Sequence, residues 1–260
     1  MDNSVINNYF GRHDVVDGIN IYPLSVMDWI DINEIVRKYL VYGYDFIEYK
    51  LKPKNKDDIK LFDLVISIVA EDIIKYNTLE CKSVIELQSV FKYVTKRNCI
   101  LELGLDNNWC IRTDDNKIIN RNNFDKIREV IMKQNLIFEP LLVEDEYTQE
   151  IIDEEIMRRN RVAGDFDIVS MIAYVSVKRG INPQEMQNYT YFQLRCDNEI
   201  CQRLEFNESI HHYRSQGAKA NPINMYGGLD CLRNPNSWDS FFTKNDSKAD
   251  ADMMKAMGSQ

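Results

Sequence analysis

The residues best suited to metal or nucleophilic chemistry in this 260-residue chain are three histidines, His13, His211 and His212, and six cysteines. Zinc is held by thiolates and imidazoles in tight local pairs. Cys196, Cys201, His211 and His212 come nearest to such a set. On a continuous helix, however, positions five apart are separated by about 500° of rotation. Cys196 and Cys201 therefore point to different faces, and the adjacent His211 and His212 diverge. The bland reading is two exposed histidines near a helix end, where they complement the dipole. No cysteines form a C-x-x-C pair, and scattered reduced thiols behave as small buried hydrophobes. The chain has no G-x-S-x-G elbow, no H-E-x-x-H and no P-loop. Gly227-Gly228 has no strand before it and no clear helix after it, so it is no phosphate cradle. Asp165 and Asp167 sit where an N-cap belongs, and capping accounts for them. The residues thus predict no catalytic centre, no cofactor and no metal, and a chain that is not an enzyme.

A different signal lies near the C-terminus. Trp238, Phe241 and Phe242 form an apolar cluster within a polar segment. Such a cluster either folds back as a clasp or docks into a partner protein. These three are the candidate partner-binding residues.

The elements that must carry these residues are mostly helices. Hydrophobic residues make up 44% of the chain, enough for a sizeable core, while only 10 Gly and 6 Pro argue against many short strands and tight turns. The net charge of -9 repels phosphate backbones, so no nucleic-acid partner is expected. No apolar stretch has the length of a membrane span. Residues 1–22 read as an irregular N-terminal arm. From Ser25, an N-cap, the apolar positions Trp29, Ile32, Val36 and Leu40 recur at helical spacing. A second helix follows, capped by Asp57 or Asp58, with Phe62, Ile66, Val69 and Ile73 on one face and Val65 at its edge. Ser83 and Glu86 have the spacing of a capping box for a third.

The period then changes. Residues 99–103 and 109–112 are β-prone runs around a turn, and 117–119 extend them into a small antiparallel meander at about 99–119. Asn120 or Asn122 caps the next helix, with Phe124, Ile127 and Ile131 inward. Glu144 to Arg161 runs from acidic to basic, as the dipole favours, and reads as an exposed linking helix. Ile168, Met171, Ile172 and Val175 mark a buried helix ended by Gly180. Thr190 opens a long helix with Phe192, Cys196, Ile200 and Leu204 as one stripe. The predicted fold is mainly α, bundle-like, with a small inserted β-meander. Its parts are the arm 1–22, a helical domain 23–143, a linking helix and helical hairpin 144–216, and an irregular tail 217–260.

The stretch Pro183-Gln184-Glu185-Met186, followed by Tyr189-Thr190-Tyr191-Phe192-Gln193-Leu194, has the form P-x-E-ϕ-x-x-ϕ-T-ϕ-x-Q-ϕ ahead of a long helix. It resembles tail and baseplate assembly proteins of bacteriophages that infect low-GC Gram-positive bacteria, among them tail assembly chaperones. Tyr22-Pro23-Leu24-Ser25-Val26 leading into a helix adds to the likeness, which loosely covers residues 20–215. Pro183, Thr190, Tyr191, Phe192 and Gln193 form a helix-entry motif whose physical role is structural: Thr190 caps, and the aromatics pack the entry. The resemblance implies a morphogenesis protein acting by protein–protein binding, as an assembly chaperone or a virion structural subunit. Its partners would be other phage tail or baseplate proteins, with a homo-oligomer allowed. It would work in the host cytoplasm during assembly or remain in the virion tail or baseplate. The alternative is an intracellular helical adaptor or regulatory protein unrelated to phage.

Overall fold

A computed structural model of the chain describes residues 3–41, 60–104, 107–141, 143, 146–163, 167–217, 219, 221–225 and 228–237. It is mainly α, as the periodicities predict, with two small antiparallel sheets, of which the three-stranded one is the expected meander. Two compact units divide it: residues 1–139 with 166–233, and residues 140–165 with 234–260. The helical hairpin expected as part of a separate 144–216 domain therefore shares a unit with the N-terminal half.

Residues 3–22 are not an irregular arm. They form α1 (Asn3–Tyr9) and a hairpin of β1 (Asp14–Val16) and β2 (Ile19–Ile21). Asp17 and Gly18 turn the hairpin, both with positive φ, the geometry of the two-residue turn that Asp-Gly favours. Ile19 and Ile21 point into the core. The hairpin is fixed from outside by Gln134, whose buried amide donates to the Ile21 carbonyl and to Asp14 at 2.9 Å each.

Helix α2 (Val26–Leu40) buries Trp29, Ile32, Val36 and Leu40, the positions its spacing predicts. Its last turn is met by the buried Arg128 guanidinium, whose Nε donates to the Leu40 carbonyl at 2.6 Å and so satisfies an acceptor that a helix end leaves unpaired. Arg128 also pairs with Glu139. Helix α3 (Leu61–Tyr76) starts after Lys60 and buries Phe62, Leu64, Val65 and Val69. Val65 is thus central rather than marginal, while Ile66 and Ile73 are partly buried. Asp57 and Asp58, expected as its cap, lie outside the described residues. Helix α4 spans Lys82–Thr95 and begins after Cys81. The Ser83–Glu86 capping box does not form, because Ser83 already lies inside the helix. Glu86 instead accepts from Lys38 at 2.6 Å and from the Tyr39 hydroxyl at 3.1 Å, tying α4 to α2.

The meander is β3 (Cys99–Leu103), β4 (Trp109–Thr113) and β5 (Ile118–Ile119), in that spatial order. Leu101, Ile111 and Ile119 bury one face into the core shared with α2, α3 and α4, which is the cover a small sheet needs. Helix α5 (Phe124–Gln134) follows Asn123, not Asn120 or Asn122; Asn123 Oδ1 accepts from the Asn120 amide at 2.9 Å. In the other unit, α6 (Glu146–Ala163) is the expected charged helix, with Gln149 closing onto Leu141 and Val143. Helix α7 (Ile168–Arg179) is capped by Asp167 and ended by Gly180 at φ 66, and α8 runs from Tyr191 to Ser215. A one-turn 3-10 helix (Glu185–Asn188) joins them.

Candidate functional site

The helix-entry motif sits at a junction of two helix starts. Ser25 and Asp28 form a reciprocal capping box at the head of α2, and Thr190 and Gln193 form another at the head of α8. The two capping residues face each other in an antiparallel bridge. Val26 N donates to the Tyr189 carbonyl at 2.7 Å, and Tyr191 N to the Leu24 carbonyl at 3.0 Å. Amides that helix starts leave orphaned are thus used to join the two halves of the chain. The Tyr191 ring stacks on Trp29 at 4.1 Å and 10°. Phe192 is buried. Burial alone would raise the Asp28 carboxyl, but hydrogen bonds from Lys96 and Ser25 outweigh it and hold the pKa below the usual range. Pro183 lies in the turn that follows α7, before the 3-10 helix. The motif is therefore a structural clamp.

Asn135 supports the same junction. Its buried side chain accepts from the Leu24 amide at 3.0 Å and donates to the Ile131 carbonyl at 2.8 Å.

Two polar clusters on α8 escaped the sequence reading, the first of them buried. In the first, Asp197 accepts from the Tyr9 hydroxyl at 3.0 Å and pairs with Arg179 at 2.5 Å. Burial, then the Asp197 charge, pushes the Tyr9 pKa up to about 12. The Asn8 side chain beside it is buried, with neither amide atom hydrogen-bonded. In the second, Glu199 and Arg203 bind a strap made of residues 223–225 and 228–233. Glu199 accepts from the Asp230 and Cys231 amides at 2.8 and 2.7 Å. Arg203 donates to the Gly228 carbonyl at 2.8 Å, and Asn207 exchanges two bonds with the backbone of Ile223. The predicted stripe on α8 is correct at Phe192 and Cys196 but not at Leu204, which is 48% exposed. The buried row instead includes Leu194, Asp197, Asn198 and Cys201. A charged residue at that spacing among apolar ones was the available signal.

His13 packs against the Tyr22 ring, while His211 and His212 are exposed near the end of α8, with His212 within 3.0 Å of Gln216. Cys196 and Cys201 are both buried free thiols, and Cys201 lines a small cleft with Arg179 and Glu205. Among the described residues no three His, Cys, Asp or Glu side chains are grouped to hold a metal ion. Among the described residues no helix is long and apolar enough to cross a membrane. A cleft of about 500 Å³ lies between α3, the β3–β4 turn and the loop before α5, lined by Asp63, Ser67, Trp109 and Arg121 among others. In it Arg121 pairs with Asp63 at 2.8 Å and Ser67 donates to the Leu64 carbonyl. Asp165, Gly227, Trp238, Phe241 and Phe242 lie outside the described residues.

The exposed apolar surface is more distinctive. Met171 and Val175 bury one side of α7 with Val26, Met186 and Leu194. Val169 and Val177 on another side are 66% and 80% exposed, with the exposed Ala173 between them at four-residue spacing. Comparison with protein-family models, with curated proteins and with solved structures returns no match.

Proposed function

We propose that the chain is a bacteriophage tail or baseplate morphogenesis protein that acts by binding other proteins, as an assembly chaperone or a virion subunit. The observation that carries the binding part is the Val169–Ala173–Val177 row. A helix that is apolar on more than one side belongs inside a larger packed structure. Here one side is buried and the other meets solvent, and a contiguous apolar strip of this kind suits a partner surface. The phage part is supported by the likeness of Pro183–Leu194 to the tail-assembly pattern. The mechanism is burial of the α7 row against a partner, while the net charge of -9 discourages self-aggregation.

Mass spectrometry of purified virions, set beside a pull-down from cells producing the phage, tests this reading. Tail or baseplate proteins recovered with the chain support it. Presence in virions as well makes it a subunit, and presence only in the lysate complex makes it a chaperone. Recovery of the chain without any tail or baseplate protein in both samples refutes it.

A further inference from the structure

The cleft beside α3 is held open by its own walls. Its volume of about 500 Å³ falls within the roughly 300–1,000 Å³ typical of small-molecule sites. One wall is the β3–β4 turn, where Gly104 N donates to the Asn108 carbonyl at 2.8 Å and Asn107 N to the Gly104 carbonyl at 3.0 Å. Another is the loop before α5. There Asn120 Oδ1 accepts from the Asn122 amide and Asn123 Nδ2 donates to the Ile118 carbonyl, both at 2.9 Å. Arg121 joins this loop to α3 through its 2.8 Å bond to Asp63. Trp109 opens β4 two residues before Ile111, on the same face of the meander. Ile111 is fully buried in the core, whereas Trp109, at the strand end, is only partly buried and lines the cleft.

The rest of the lining is mostly amide. Asn107, Asn108 and Asn122 are exposed there and Asn120 is partly so. Each carboxamide offers both donors and an acceptor. Among the described residues the charged groups of the lining are Asp63 and Arg121, paired with each other, so the cleft favours neither an anion nor a cation. Their bond uses the guanidinium Nε and leaves both groups capacity for further partners. Phe62 is 2% exposed, so apolar contact comes mainly from Trp109 and Ile66.

We propose that this cleft binds a neutral mono- or disaccharide, with a pyranose face on the Trp109 indole and the hydroxyls on the asparagine amides and the Asp63–Arg121 pair. The electron-rich face of an indole attracts the polarised C–H groups of a sugar ring. A sugar hydroxyl donates and accepts at once, which carboxamides, a carboxylate and a guanidinium together satisfy. A flat apolar ligand would leave those groups desolvated and unpaired, at a cost in affinity. A phosphate would meet a carboxylate and the guanidinium already paired with it. No protein partner is required at this site.

The test titrates the full-length chain with neutral sugars: glucose, galactose, mannose, N-acetylglucosamine, maltose, cellobiose and lactose. Binding is read by saturation-transfer NMR and by the indole N–H signals of the 3 tryptophans, with Trp109 assigned from Trp109→Phe. At least one sugar should move the Trp109 signal with a dissociation constant of about 1 mM or below. Trp109→Ala should weaken that binding about tenfold by removing the stacking face. Asn122→Ala, at an exposed position that the fold tolerates, should weaken it by about threefold to tenfold. Adenosine should bind more weakly than the best sugar. A Trp109 signal that no sugar moves at about 10 mM overturns the proposal. So does tighter binding of adenosine, or undiminished sugar binding by folded Trp109→Ala. Undiminished binding by Asn122→Ala overturns it even where Trp109→Ala fails to fold.

Discussion

Removing Arg179 should destabilise this protein more than neutralising Asp197, although the arginine is the more exposed partner. The side chain of Asp197 is 3% exposed and that of Arg179 37%. Arg179→Ala strands a buried carboxylate with one remaining donor, the Tyr9 hydroxyl. Breaking a fully buried ion pair in this way costs about 3–5 kcal/mol. The retained Tyr9 bond places this case near the low end, at about 3 kcal/mol. Asp197→Asn keeps the volume and an acceptor for Tyr9, and the guanidinium it leaves unpaired can be rehydrated, so its cost is about 1–1.5 kcal/mol. The double variant buries no lone charge and should lose less than the sum, with a coupling of about 1 kcal/mol or more. Urea unfolding of the four proteins measures this, read as shifts in midpoint at unchanged slope. Additive costs, or a larger loss for Asp197→Asn, would refute the assignment of Asp197 as the buried member of the pair.

Three further outcomes follow from the geometry. Asn135→Ala removes the side chain that receives the Leu24 amide and should cost about 2 kcal/mol, because it orphans a buried donor; a thermal melt showing no loss would contradict that. Thr190→Ala deletes one capping box and should cost about 1 kcal/mol, measured in the same melts, with Thr190→Ser restoring most of it. Burial opposes ionisation of Glu199, but the strap amides outweigh it and hold its pKa below the ordinary glutamate value of about 4.3. Its grip on the strap is complete above that value and is lost as pH falls through the lower folded value. Hydrogen exchange at Asp230 and Cys231 should therefore accelerate in acid beyond the intrinsic pH effect, and Glu199→Gln should abolish that excess.

What could be read from the sequence depended on the range of the interaction. The boxes at Ser25 and Thr190 use a side chain three residues from its partner, so both starts were visible as N-caps. The Trp29–Val36 face and the meander were carried by period alone. The Ser83–Glu86 box has the right letters, but the helix starts one residue before Ser83, and Glu86 serves Tyr39 and Lys38, more than 40 residues away. The β1–β2 hairpin was missed because three-residue strands are too short to show alternation; only Asp17-Gly18 marked it. The Asp197 cluster draws on Arg179 and Tyr9, the latter 188 positions away, and no local pattern announces such a meeting. The α7 row was hidden for another reason. Val169, Ala173 and Val177 lie off the predicted face of Ile168, Met171, Ile172 and Val175, and their exposure follows from which side of α7 the chain itself covers.

That row also provides the most direct test of the account. A tagged chain carrying Val169→Glu and Val177→Glu should melt within about 0.5 kcal/mol of the parent, since both positions are exposed. Quantitative mass spectrometry of its pull-down from phage-producing cells should show tail or baseplate partners depleted at least about tenfold against the parent chain, a loss of about 1.4 kcal/mol in binding. Undiminished recovery of those partners by the folded double variant would contradict the claim that this face does the binding.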